Sequence, residues 1–407
     1  MRDSRIRVAG VLAVLSAACE TGGDSGLALR SEVRDSAGVT IVENARPVTG
    51  SRLDWRVGEA PAVSIGLQGG DEAYQFYGIE DATRLADGRI VVADAGSSEL
   101  RVFSADGGHL VSLGGVGEGP GEFAQFDPET VSVWPGDSIA GASWWRGQVV
   151  IFDADGNHGR TATLGGARFS LLGVMPGGNI LAKPGLPVGM QFGAGGSTLR
   201  RQEAEFAVVR PTGEIRASVG TQEGDEWFFS PNSPTARPHP FGRSVLATVW
   251  GPLAVVTAND SYEIRAYDSD GRLAKIVRRK HELRAPTQAE LDAVLEESWA
   301  DRSEEDQERL RGMAEGMTLV EFFPAFAALL ADPLGYLWVQ EYRFPEQVGS
   351  IWTVFDADGR VQGFVEMPGD LELFEIGEDY ILGGTTDELG VERVQLRALE
   401  RAAGQAR

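Results

Sequence analysis

Two kinds of turn recur along this 407-residue chain, each set between short apolar runs. A third observation is the glycine content, 53 residues, which suits many tight turns better than long helices. Together they predict an all-β fold: a six-bladed β-propeller closed by both termini, with a short helical insertion. Each repeat reads as a four-stranded antiparallel meander. Such a sheet cannot bury both faces alone, and radial stacking of similar sheets solves the problem.

The second turn carries the clearest signal. It appears as LRVFSADGGHLVSLGG (100–115), VVIFDADGNHGRTATL (149–164), IRAYDSDGRLAKIV (264–277) and WTVFDADGRVQGFV (352–365), with a weaker copy, FAVVRPTGEIRASVG, at 206–220. An Asp-Gly pair between apolar runs is a hairpin signature, because glycine accepts positive φ. The first turn appears as DGRIVVAD (87–94), PGDSIAGAS (135–143), PGGNILAKP (176–184), GPLAVVTAN (251–259), DPLGYLWVQEY (332–342) and GEDYILGGT (377–385). The units so defined are 76–115, 126–165, 170–220, 240–280 and 320–367. A sixth sheet needs both ends of the chain: strands in 371–383 and 391–399 pair with an N-terminal strand from either 38–44 or 54–66, so that no closing edge stays unpaired.

The insertion lies between the fourth and fifth units, at 285–317. Thr287-Gln-Ala-Glu290 is a capping box, and Leu291, Val294, Leu295 and Trp299 follow at helical spacing. A second helix is expected from Ser303 toward Met317, with Leu310 and Met313 inward. The pair reads either as a lid or docking element or as a hairpin that caps the rim.

The first residues form a targeting segment. Arg2, Arg5 and Arg7 precede the apolar run VAGVLAVL (8–15), then Ser16-Ala17-Ala18 and Cys19, the only cysteine. This is the layout of a secretory signal, and the run is too short to span a bilayer. Residues 20–36 are expected as a flexible tether, 37–400 as the propeller and 401–407 as a tail. Without residues 1–19 the chain has 34 basic and 59 acidic residues, a net charge of −25, against −23 for the whole. That surface repels nucleic-acid phosphates and anionic headgroups, so no nucleic-acid partner is expected.

The run DGRIVVADAGSSELRVFSADGGHLVSLGGVGEGPGEF (87–123) resembles the NHL-repeat type of six-bladed propeller, and the chain after about residue 37 is similar to bacterial lipoprotein-like members of that superfamily. In a bacterial lipoprotein signal the cysteine is acylated, which implies an anchor at Cys19 on the extracytoplasmic side of an envelope membrane. One position departs from the pattern: Ser16 stands where leucine is preferred, and Leu15 lies one step earlier. A cleaved, soluble periplasmic product is the alternative. Functions vary widely across the superfamily, so the likeness bears on fold more than on chemistry.

Several motifs resolve into turns. Counting twelve places from Asp153 and Asp356 reaches Leu164 and Met367, so neither Asp-rich turn can supply the glutamate of a calcium loop. The glycine run at 114–121 contains Glu118 and no lysine, which fits a connection between sheets with Phe123 and Phe126 as core anchors. His109 and His158 occupy equivalent places after Asp-Gly turns, and no histidine pair has zinc spacing. No G-x-S-x-G elbow occurs.

The leading expectation is therefore a binding or scaffold module for a protein, peptide or glycan, with no cofactor and with the membrane reached by the lipid anchor only. The candidate ligand-binding residues sit on loops at the mouth of the ring: Trp144, Trp145, Arg146, Trp227, Tyr262, Tyr342 and Arg343. Aromatic and arginine side chains there give large contact area and directional hydrogen bonds. The alternative is a propeller-type lyase or hydrolase with a divalent metal in the central channel, for which Asp94, Glu99, Asn259, Asp260 and Glu341 are the oxygen donors to consider.

Overall fold

The computed structural model describes residues 31–47, 53–164, 169–184, 197–233, 235–345, 347, 349–369 and 371–401. Cys19, the signal segment, residues 20–30 of the expected tether and residues 402–407 lie outside them. The described strands fall into six sheets, with two helices between the fourth and fifth.

The first sheet uses Ile79–Arg84, Ile90–Asp94, Glu99–Phe103 and His109–Gly114, paired in chain order. The second repeats the plan with Thr130–Trp134, Ser138–Ser143, Gln148–Phe152 and His158–Thr163, and the fifth with Phe326–Ala331, Leu337–Glu341, Ser350–Phe355 and Val361–Met367. The third contains the longest strands, Thr198–Val209 and Ile215–Phe229, and ends on Arg237–Pro238. Trp227, expected on a loop, therefore lies within a strand. The pairing runs that far through three register shifts.

The termini take different places. Glu392–Glu400 pairs with Val63–Ile65 and Arg56–Val57, which selects 54–66 for the sixth sheet. Val39–Asn44 instead adds in parallel to Leu273–Arg279 at the outer edge of the fourth sheet, and Ser31–Ser36 pairs with it. The expected tether is thus shortened: 31–36 form a strand whose backbone hydrogen bonds are made by 39–44. The first strands of successive sheets lie against one another, and that of the sixth, Glu372–Ile376, lies against Ile79–Arg84.

The core is divided among the sheet-to-sheet contacts. Val91, Leu100 and Val102 face Val131, Ile139 and Val150 of the second sheet. Ile90, Val92 and Phe103 point the other way, onto Leu382 and Val394 of the sixth. All five residues of Ile90–Asp94 are buried. A strand covered on both faces has no polar face, so it reads as a continuous apolar run rather than an alternation.

Three of the Asp-Gly turns share one construction. Asp356 Oδ1 accepts the backbone N–H groups of Asp358 and Arg360 at 3.0 and 2.8 Å, and Asp153 and Asp268 do the same in their own turns. Gly359 closes the turn at φ +90°, where a β-carbon would also lie 2.6 Å from the Val277 side chain. His109 and His158 begin the outer strands of their sheets. Phe123 is fully buried, but Phe126 is 64% exposed and at φ +67°, which corrects its expected place in the core. The chain turns outward there, so its ring points to solvent.

Helix α1 spans Gln288–Trp299 and α2 spans Glu304–Ala314. The capping box is reciprocal: Thr287 Oγ1 accepts the Glu290 N–H at 3.3 Å, and Glu290 accepts the Thr287 N–H at 2.8 Å. Ser303 caps α2 by accepting the Asp306 N–H at 3.2 Å. Leu291 and Trp299 are buried. Leu291 packs with Phe241, Val320 and Phe323, and beside Tyr342 and Phe344, which seats α1 on the connections of the third, fourth and fifth sheets. Leu310 and Met313 are only half-buried, because α2 packs on α1 and has no buried residue of its own. No helix among the described residues is long and apolar enough to cross a membrane.

Candidate functional site

The loop residues divide between exposed groups and groups that brace the loops. Trp144, Trp145 and Arg146 form the turn between the second and third strands of the second sheet. The buried Asp127 carboxylate accepts from the Ser143 hydroxyl and from the backbone of Trp144 and Trp145, while Arg146 donates to the Gly117 carbonyl. The two indoles meet edge to face at 4.9 Å, and Trp145 is half exposed. Trp227 is half-buried opposite Arg200 in the third sheet. Arg343 is exposed. Tyr342 packs against Phe323 and Phe344, and burial pushes its phenol up to about 12.

Tyr262 is buried. Its hydroxyl donates to Glu341 Oε1 at 2.9 Å, and the Arg279 guanidinium stacks on its ring at 3.8 Å. Arg279 grips Glu341 with two donors, at 2.7 and 2.8 Å, and reaches Thr353 at 2.8 Å. This network joins the fourth sheet to the fifth and brings Tyr262 beside the loop that carries Tyr342. A cleft of 710 Å³ opens next to it, lined by Asn44, Tyr262, Arg279 and His281, and a second of 180 Å³ shares His281 with Glu341 and Tyr342. Both sit at the junction with the N-terminal hairpin.

The five oxygen donors considered for a metal are not brought together. Asp94 and Glu99 share Arg101, at 3.1 and 3.2 Å. Asp260 pairs with Arg201 and Arg243, at 2.6 and 3.4 Å. Asn259 accepts the Ser244 N–H and donates to the Phe326 carbonyl. Glu341 belongs to Arg279. Among the described residues no three His, Cys, Asp or Glu side chains are grouped to hold a metal ion.

A different constellation lies where the first strands of all six sheets meet. They line one cavity of 330 Å³, with Asp81, Thr83 and Glu375 among its polar groups. Burial pushes the Asp81 carboxyl up to about 7, against backbone hydrogen bonds from Val131 and Ala82 that favour its charge. Glu375 is also raised by burial, and accepts from the Thr83 and Tyr380 hydroxyls. Glu129, just before the first strand of the second sheet, is pushed up to about 7 by burial and by Asp127. Carboxyls poised near neutrality can accept from a cation or, when protonated, donate to a neutral oxygen. The peripheral cleft is larger, but this cavity draws on every one of the six sheets.

Sequence reasoning passed over Asp81, Glu375 and Glu129 because it looked for function on loops. A signal was present: IEDATR (79–84) and ELFEI (372–376) place acids in the runs that lead into a first turn.

No family model matches the chain, and no curated protein matches it. Among solved structures, a Bacteroides fragilis protein whose name marks it as exported is 12% identical, with a TM-score of 0.48 over 89% of this chain and 99% of that one. A member of the DUF4221 family from Bacteroides vulgatus is 9% identical, with a TM-score of 0.43 over 86% and 100%. Virginiamycin B lyase from Staphylococcus aureus is 11% identical, with a TM-score of 0.42 over 84% and 99%. At these values the likeness identifies neither a family nor a ligand.

Proposed function

We propose that the chain is an exported six-bladed β-propeller, lipid-anchored through Cys19 on the extracytoplasmic side of a bacterial envelope membrane, that acts as a binding module for a peptide, protein or glycan. The six sheets are its blades, and the axial cavity is its ligand site. The observation that carries this reading is that cavity: the first strands of all six sheets surround it, and Asp81 and Glu375 place carboxyl oxygens in its lining. The acidic balance of the chain favours a cationic or neutral ligand and disfavours nucleic acid. The exposed Trp145 and Arg343 are the peripheral contacts expected to widen the footprint.

The test is calorimetric titration of defined neutral peptides and neutral oligosaccharides into the wild-type protein and the Asp81→Asn/Glu375→Gln variant. Binding that weakens in the variant supports the axial site. Binding that the variant leaves unchanged, or a probe returned chemically altered in the mass spectrum, defeats the reading. The anchor is tested by acyl labelling in a bacterial host. Wild-type protein is expected in the membrane fraction with label, and Cys19→Ala in the soluble fraction without it. Unlabelled wild-type protein would refute the anchor.

A further inference from the structure

The helical hairpin carries a groove that neither the axial cavity nor the Arg279 network explains. It runs between α1 and α2 and encloses 520 Å³. Leu295, Trp299 and Ala314 supply its apolar part, and Asp292, Glu296, Glu308 and Glu315 stand on its edges, all four exposed. A single cation, Arg311, lines it, 3.8 Å from Glu296. Asp292 accepts from Gln288 and Glu315 from Asn232, whereas Glu308 pairs with no cation among the described residues.

Gly312 lines the same groove. It sits inside α2, where glycine weakens a helix relative to alanine by up to about 1 kcal/mol. Its backbone is ordinary helix, and a β-carbon there would meet nothing within 4 Å. The position therefore has no packing or conformational reason to be glycine, and its bareness leaves the groove open between Leu295 and Ala314.

We infer that this groove docks a basic peptide segment of a partner protein, one apolar side chain seated between the helices and flanking lysines or arginines paired with the acidic edges. The charge pattern selects this occupant. A second copy of the chain would bring a net charge of −23 against the same carboxylates. An apolar anchor gives affinity, and the surrounding charges give orientation and rate of encounter. The surface deepens the binding-module reading but does not rest on the axial cavity.

The probe is a fluorescein-labelled peptide, acetyl-KKLKFLKK-amide, with a twin carrying glutamate at every lysine. Fluorescence anisotropy on the full folded chain is compared for wild type, Gly312→Leu, Glu296→Gln/Glu308→Gln and Asp81→Asn/Glu375→Gln. Gly312→Leu fills the groove, keeps every charge and favours helix, so its melting midpoint should be no lower than wild type. The expected result is saturable one-to-one binding of the basic peptide, at least about tenfold weaker in the first two variants and unchanged in the axial variant. The acidic twin should not bind. Equal binding by Gly312→Leu would mean general attraction to an acidic surface and would overturn the proposal, as would no binding at all. A wild-type dimer in sedimentation that Gly312→Leu converts to monomer would overturn it in favour of a second copy. Loss confined to the axial variant would leave the axial site standing and remove the groove.

Discussion

Glu341→Ala should be among the most damaging single changes at the junction of the fourth and fifth sheets. The Arg279 side chain is completely buried and its two terminal nitrogens are held by Glu341 at 2.7 and 2.8 Å. Removing Glu341 leaves a buried guanidinium with Thr353 as its remaining side-chain oxygen partner and Tyr262 as a stacked ring. Breaking a buried pair from one side costs about 3–5 kcal/mol. With an unfolding entropy of about 2 cal/mol/K per residue, a chain of 407 residues gains roughly 0.8 kcal/mol per kelvin, so the midpoint should fall by about 4–6 °C. Calorimetry of Glu341→Ala, Arg279→Met and the double variant measures this. The double variant should lie well above the sum of the singles, because removing both charges removes the desolvation problem. Singles that cost less than about 1 kcal/mol, or a double variant equal to their sum, would refute the reasoning that these two residues act as one buried unit.

Asp81 predicts a pH dependence of the opposite sign from a salt-bridged acid. Its folded value of about 7 lies above the ordinary 3.8, so the fold binds the proton more tightly than the unfolded chain. The stability it contributes is full below about pH 4 and is lost as pH rises through about 7. The advantage of Asp81→Asn over wild type in urea unfolding should therefore grow by about 2–4 kcal/mol between pH 4 and 8 and then level off; a constant difference would contradict it. Thr287→Ala removes the side-chain half of the capping box, leaving Glu290 on the backbone N–H of residue 287, and should cost about 1 kcal/mol, seen as faster proteolytic nicking of 285–317 with little change in the global melt. A drop in the global melt equal to that of Glu341→Ala would show that the hairpin is instead part of the cooperative core.

Local chemistry determined much of this protein from sequence. The Asp-Gly turns, the hairpins they close and the capping box at Thr287 depend on residues within a few places of one another, so they were legible without a fold. So was the acidic balance. The tertiary structure decided what depends on distant neighbours. Two N-terminal segments were equally strand-like, yet 63–65 pairs with the sixth sheet and 39–44 with the fourth. Nothing within either segment specifies its partner: Asn44 bonds to Gly359 and Val361, more than 300 residues away. The same holds for function. Tyr262, equally eligible on paper for recognition, is buried under Arg279, whereas Asp81 and Glu375 meet because two strands at opposite ends of the chain pack side by side. A side chain's role follows from the field and the water around it, and those are set by whichever strands become its neighbours.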